Sequence, residues 1–215
     1  MNKFISVEKA LSFLKDGMTL MIGGFLGNGT PDKIVDAIAA SSLKNLTLIC
    51  NDTAFPDRGL GKLFVNKQVA KVITSYIGGN PLCNEQMNAG ELEVDFVPQG
   101  TLAERIRSAG CGLGGILTPT GLNTLSAQGK QIINVDGKDY LLEKPLRADV
   151  ALIRASVGDE MGNLVYRGTS QNFNPLMAMA ADLVIAEVGE LVKTGEIAPE
   201  YVKTPSIFVK YLVVM

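Results

Sequence analysis

Short apolar runs alternate with stretches of helical periodicity along most of this 215-residue chain, and that alternation admits few architectures. The run Met18-Thr19-Leu20-Met21-Ile22 is apolar at four of its five positions. Such a run suits a strand covered on both faces, as in a parallel sheet. A helix is expected before it over 7–15, with Val7, Ala10, Leu11 and Leu14 on one face, and another after it presenting Ile34, Val35, Ile38 and Ala39. Further strands are expected over 46–50, 70–74, 92–97, 148–155, 183–188 and 207–214. Thr101-Leu102-Ala103-Glu104 has the form of a capping box opening a helix. Asp136-Gly137, between runs over 131–135 and 138–142, predicts a type I′ hairpin. No repeat, charge block or low-complexity linker interrupts the pattern. The expectation is one α/β domain over 1–215: an open, mostly parallel three-layer sheet with helices on both faces and a β-hairpin insertion.

Composition narrows the chemistry. Apolar residues make up 47% and charged residues 20%, enough for a core and too apolar for disorder. Twenty Lys and Arg stand against 22 Asp and Glu, a net charge of -2, so nothing points to nucleic acid. Histidine is absent, which excludes Ser-His-Asp and Cys-His nucleophile activation, imidazole zinc sites and histidine general bases. Cys50, Cys83 and Cys111 form no CxxC pair and are expected to be small buried residues. Glu8 and Lys9 interrupt what a signal peptide would keep apolar. The uncharged stretch 108–129 holds six glycines and a proline and reads as loop and short helix, not as a membrane span. A cytoplasmic protein with no membrane partner is expected.

The segment Gly23-Gly24-Phe25-Leu26-Gly27-Asn28-Gly29 leaves a buried strand and enters a helix, with Thr30 at the expected N-cap and Pro31 at the first helical position. Glycines let a ligand approach the main chain closely, and the unpaired amides of a helix start suit an anion or oxyanion. Two nucleotide motifs fail here. A Walker A loop requires Lys where Thr30 and Pro31 stand, and a dinucleotide fingerprint from Gly27 requires Gly or Ala where Asp32 stands. A glycine turn can also be merely structural.

The segment from Asp16 through this turn to Pro31 resembles the first signature of the family I coenzyme A transferases. The resemblance continues through Asn51-Asp52, Ser75-Tyr76-Ile77-Gly78, Pro98-Gln99-Gly100-Thr101 and Thr118-Pro119-Thr120-Gly121. It extends to Leu146-Arg147-Ala148-Asp149, the segment Gly162 to Gly168, and Asn172-Phe173-Asn174-Pro175, covering essentially the whole chain. Among members it is similar to α subunits acting on acetate or butyrate and acetoacetate. This implies CoA transfer between short-chain carboxylates through a glutamyl-CoA thioester, with coenzyme A as substrate and neither a permanently bound cofactor nor a metal. The family's glutamate lies in a Ser-Glu-Asn-Gly motif on the β half, and no such run occurs here. The nearest look-alikes, Glu187 and Glu190, are expected to be solvated or salt-bridged. The implied partner is a β subunit carrying that glutamate.

Under this reading the backbone N–H groups around Gly24, Phe25 and Gly27 are candidate oxyanion donors, and Gly23, Gly24, Phe25, Leu26, Gly27, Asn28 and Gly29 are expected to contact acyl-CoA. Asn51 and Gln99, near carboxyl ends of strands, are further candidates, with an Asx turn and a loop hydrogen bond as the bland alternatives. Phe25 is either a wall of the acyl pocket or a core side chain. Arg147, Arg154 and Arg167 suit a carboxylate or a CoA phosphate, or ordinary ion pairs. Met177, Met179 and Tyr211-Leu212-Val213-Val214 are candidates for an apolar subunit interface, or else core. A phosphate-binding isomerase or deaminase of related fold, and a non-catalytic acyl-CoA-binding module, are the alternatives.

Overall fold

A computed structural model describes residues 3–215. The expected strands of the first half are present, but the first helix stops at Leu11 instead of reaching 15: α1 (Val7–Leu11), β1 (Thr19–Ile22), α2 (Asp32–Ala40), β2 (Leu46–Ile49), α3 (Gly61–Val65), β3 (Val69–Thr74), α4 (Pro81–Asn88), β4 (Glu93–Phe96) and α5 (Gln99–Gly110). Two of these helices, α3 and α4, are not expected from the pattern. There follow β5 (Ile116–Thr118), β6 (Ile132–Val135), β7 (Lys138–Glu143), β8 (Ala148–Asp159), β9 (Leu164–Val165), α6 (Asn174–Met177), β10 (Ala181–Val192) and β11 (Tyr211–Val214).

The main sheet is open, in the order β11-β10-β8-β1-β2-β3-β4. Every pair along that path is parallel, and β9 adds an antiparallel edge to β8. Alternate residues of each strand supply two cores. Leu20, Ile22, Leu48, Val72 and Leu152 pack with Ala10 of α1, Ile34, Val35 and Ile38 of α2, Phe64 of α3 and Cys83 of α4. Met21, Ile49, Ile73, Ala151 and Ile153 pack on the other face with Leu102 and Ile106 of α5 and Met177 of α6. This is the expected three-layer arrangement, and it explains why the central strands read as unbroken apolar runs. Among the described residues no helix is long and apolar enough to cross a membrane.

The expected hairpin is present. Asp136 and Gly137 both have positive φ, 50° and 79°, as a type I′ turn requires. The insertion is larger than a hairpin, however: β5 joins the other edge of β7, giving a three-stranded antiparallel sheet. That strand lies inside the uncharged stretch read as loop and short helix. A buried ion pair ties the insertion down, with Glu143 accepting from Lys130 at 2.6 Å and facing Arg105 of α5 at 3.7 Å.

Several local expectations need correction. The helix after the glycine turn starts at Asp32 with Pro31, not Thr30, as N-cap and with no side-chain cap bond. The capping box at Thr101 is not used. Helix α5 begins two residues earlier, at Gln99, and Thr101 is buried within it. Cys50 and Cys83 are buried, but Cys111 is exposed. Met177, Leu212 and Val213 are core residues, and Tyr211 stacks on Phe13; of that set Val214 is the residue left well exposed, at 40%.

Candidate active site

Strands β1 to β4 run outward on one side of β1, and β8, β10 and β11 on the other. The order therefore reverses between β1 and β8, and open α/β sheets bind ligands outside the carboxyl ends of the strands at such a point. The glycine turn leaves β1 there. A cleft of about 420 Å³ opens beside it, lined by Gly27, Asn28 and Gly29 of the turn, Arg154 and Ser156 of β8, Arg167, Ser170, and Gly189 and Glu190 of β10.

The turn is held by contacts that sequence reasoning did not assign. Asn172 Oδ1 accepts the Gly24 N–H at 3.1 Å, and Asn174 Nδ2 donates to the Gly29 carbonyl at 3.0 Å. The approach is so close that a Cβ on Gly23 would lie 1.8 Å from Asn174 Oδ1. Asp52, buried beyond β2, accepts from the Leu26 N–H at 3.0 Å and the Ala54 N–H at 2.7 Å. Burial pushes its carboxyl above the usual range, against the pull of those two amides. The available signal was the presence of Asn51-Asp52 and Asn172 to Pro175 among the matching segments; neither Asp52, Asn172 nor Asn174 carried a role there.

These contacts sort the candidate donors. The Gly24 N–H is taken by Asn172, the Phe25 N–H by the Asn28 carbonyl and the Leu26 N–H by Asp52. The N–H groups of Gly27 and Gly29 have no partner among the described residues. Phe25 is 47% exposed, so it is not a core side chain.

Asn51 and Gln99 come together, one strand away from the cleft and outside its lining. Gln99 Nε2 donates to Asn51 Oδ1 at 2.6 Å, and Ser75 Oγ bonds Gln99 Oε1. Asn51 is buried, and this pairing leaves its Nδ2 donor uncommitted among the described residues. The bridge to the glycine turn is the neighbouring Asp52.

All three arginines form ion pairs: Arg147 with Asp182 at 2.8 Å, Arg154 with Asp32 at 2.9 Å and Arg167 with Glu190 at 3.0 Å. Arg154 and Arg167 also line the cleft, whereas Arg147 lies elsewhere. Glu190 is salt-bridged as expected. Glu187 is not solvated: it is fully buried, and its Oε2 accepts the Ile34 N–H of α2 at 3.2 Å.

A doubly wound sheet with a glycine turn at its switch point fits many chemistries, so the family is decided by comparison. The family model described as coenzyme A transferase matches residues 4–215. The chain belongs to the coenzyme A transferase family. It is 52% identical over 212 residues to the acetate CoA-transferase subunit alpha of Escherichia coli strain K12, covering 99% of this chain and 96% of that one. It is 53% identical over 212 residues to the acetoacetyl-CoA:acetate/butyrate CoA transferase alpha subunit of Clostridium acetobutylicum, covering 99% and 97%. A crystal structure of an acyl-CoA transferase from Escherichia coli O157:H7, a thioester complex with CoA, superposes with a TM-score of 0.89 at 22% identity. The match covers this whole chain but only 47% of that longer one, and at that identity it speaks for the fold alone. The isomerase alternative does not account for these matches.

Proposed function

We propose that this chain is the α subunit of a short-chain acyl-CoA:carboxylate CoA-transferase acting on acetate or butyrate and acetoacetate, working in the cytoplasm with a β subunit that carries the nucleophilic glutamate. The observation that carries the reading is identity of 52% and 53%, over almost the full length of both partners in each comparison, to alpha subunits with those names. One family model spanning 4–215 supports treating the chain as a single domain.

The chemistry suits a chain without histidine. The partner's glutamate attacks the acyl-CoA carbonyl and expels CoA thiolate, leaving a mixed anhydride. The thiolate then attacks the glutamyl carbonyl, releases the first carboxylate and leaves a glutamyl-CoA thioester, which an incoming carboxylate takes through the reverse steps. Both nucleophiles are already ionised, and one thioester replaces another. Each addition creates an oxyanion, which fixed donors stabilise more than the flat carbonyl before it. The Gly27 and Gly29 N–H groups, without a partner among the described residues and belonging to residues that line the cleft, are the donors this chain offers from the turn. Asn51, paired with Gln99 outside that lining, supports the turn through its neighbour Asp52. Gly24 and Phe25 act by shaping the turn, Phe25 presenting an exposed ring.

The test is reconstitution. The purified chain alone is expected to exchange no CoA between acetyl-CoA and acetoacetate. Co-purified with its partner it exchanges, and a CoA-sized mass adduct appears on the partner polypeptide. Exchange by the single chain, or a complex that binds acyl-CoA without turnover, would remove the proposal; the second outcome would make it a binding module.

A further inference from the structure

Glu187 has no exposed surface, and burying a carboxylate is unfavourable unless partners compensate it. It lies on β10 opposite Arg154 of β8 and Val213 of β11. Its Oε2 closes the first turn of α2 through the Ile34 N–H, in a helix whose N-cap residue Pro31 makes no side-chain cap bond. Its Oε1 is buried and has no hydrogen-bond partner among the described residues. Arg154 reaches the same segment from the next strand, donating to the Thr30 carbonyl at 3.3 Å and to Asp32 Oδ2 at 2.9 Å. Two adjacent strands thus grip residues 30–34, immediately after the Gly27 and Gly29 amides that line the cleft.

We infer that Glu187 is a positioning residue: through the Ile34 N–H and the facing Arg154 guanidinium it fixes the start of α2, and with it the Gly27 and Gly29 donors, for turnover. Capping alone does not call for this residue, since Ser, Thr or Asp at position 31 would cap α2 without a buried charge. The charged side chains facing Glu187 are Arg154 on β8 and Asp32 on α2; its β11 neighbour, Val213, is apolar. Burial raises its carboxyl above the usual glutamate range, opposed by the α2 amides and Arg154 and reinforced by Asp32. The ionised form, which attracts Arg154 and the positive end of α2, is therefore lost on acidification sooner than in an exposed glutamate.

The experiment uses Glu187→Gln in the complex with the partner polypeptide, with acetyl-CoA and acetoacetate as probes. Gln keeps an acceptor for the Ile34 N–H and removes the charge. The expected result is a kcat at least about tenfold lower with KM for acetyl-CoA within about twofold. The melting temperature at pH 7 stays equal to or above that of the wild type, and the acid limb of the wild-type kcat profile is lost. Arg154→Gln should reproduce the kcat loss, and the double variant should be no worse than either single one. Wild-type kcat across the pH range, or losses of kcat and melting temperature that move together and add across the two sites, would overturn the assignment. The kinetic readout rests on the CoA-transferase reading. If the wild-type complex exchanges no CoA, that reading fails, and amide hydrogen exchange over 27–34 decides the clamp: at least about tenfold faster exchange in Glu187→Gln upholds it, unchanged protection refutes it.

Discussion

At Gly27 backbone conformation and chemistry make the same demand. Its φ of 85° is left-handed, and an added Cβ would lie 2.5 Å from Cγ and Cδ of Arg58. Gly27→Ala is expected to lower stability by about 1 kcal/mol and, by displacing a free donor, to cut turnover of the reconstituted complex by roughly 10- to 100-fold. Unchanged kcat would show that this amide does not face the reacting carbonyl. Asp52 makes a different point. Its oxygens accept from backbone N–H groups, Leu26 reaching both and Ala54 reaching Oδ1, so Asp52→Asn sets an amide NH₂ against the Leu26 donor. The expected loss is about 1–3 kcal/mol, or roughly 2–12 °C in melting temperature for a chain of this size. Asn51 and Gln99 could be picked out because they follow the carboxyl ends of β2 and β4 within two or three residues. Asn172 and Asn174 could not, because their value comes from touching a turn more than 140 positions away.

At the scale of elements, two glycines separate intrinsic backbone preference from packing. An added Cβ meets nothing within 4 Å at Gly100, in the first turn of α5, or at Gly137, in the β6–β7 turn. They differ in φ: Gly137 sits at 79°, whereas Gly100 is helical. Gly100→Ala should therefore raise stability by about 0.4–1 kcal/mol, and Gly137→Ala should lower it by about 1 kcal/mol. Thermal melts of the two variants decide this, and shifts of the same sign would refute it. The hairpin was legible because Asp-Gly fixes its own geometry. The starts of α2 and α5 were not, because both begin behind a proline and take no local side-chain cap. For α2 the missing acceptor comes from β10.

For the whole molecule, three partly or fully buried carboxylates shape the response to pH. Asp32, Asp52 and Glu187 are all raised by burial. The folded chain therefore holds these protons more tightly than the unfolded chain, so ionisation of these groups subtracts stability at neutral pH. That penalty is relieved as pH falls through their raised values towards the ordinary carboxylate range, about pH 4. The contribution of these three groups should keep the melting temperature level or rising as pH falls from 7 towards the ordinary carboxylate range, about pH 4, while CoA exchange by the complex declines over the same interval. Melts and rates in one buffer series test both. A melting temperature that falls steadily with rate would remove the buried carboxylates as the cause, and the slope should be flatter in Glu187→Gln.

The central strands β1, β2, β3, β4, β8 and β10, the hairpin and the glycine turn were set by the sequence itself, because periodicity, turn chemistry and glycine act within a few residues of one another; the short α3, α4 and β5 were not legible there. Tertiary structure alone decided which turn amides stay free, which strands flank the switch point and what caps α2. Those outcomes depend on groups from β8, β10 and the 172–174 segment arriving beside β1, and hydrogen bonds over such separations leave no periodic trace in the chain. Glu187 shows the difference most plainly: read along the sequence it is a carboxylate at a strand end, and in the fold it is a buried acceptor at the start of a helix 153 positions earlier.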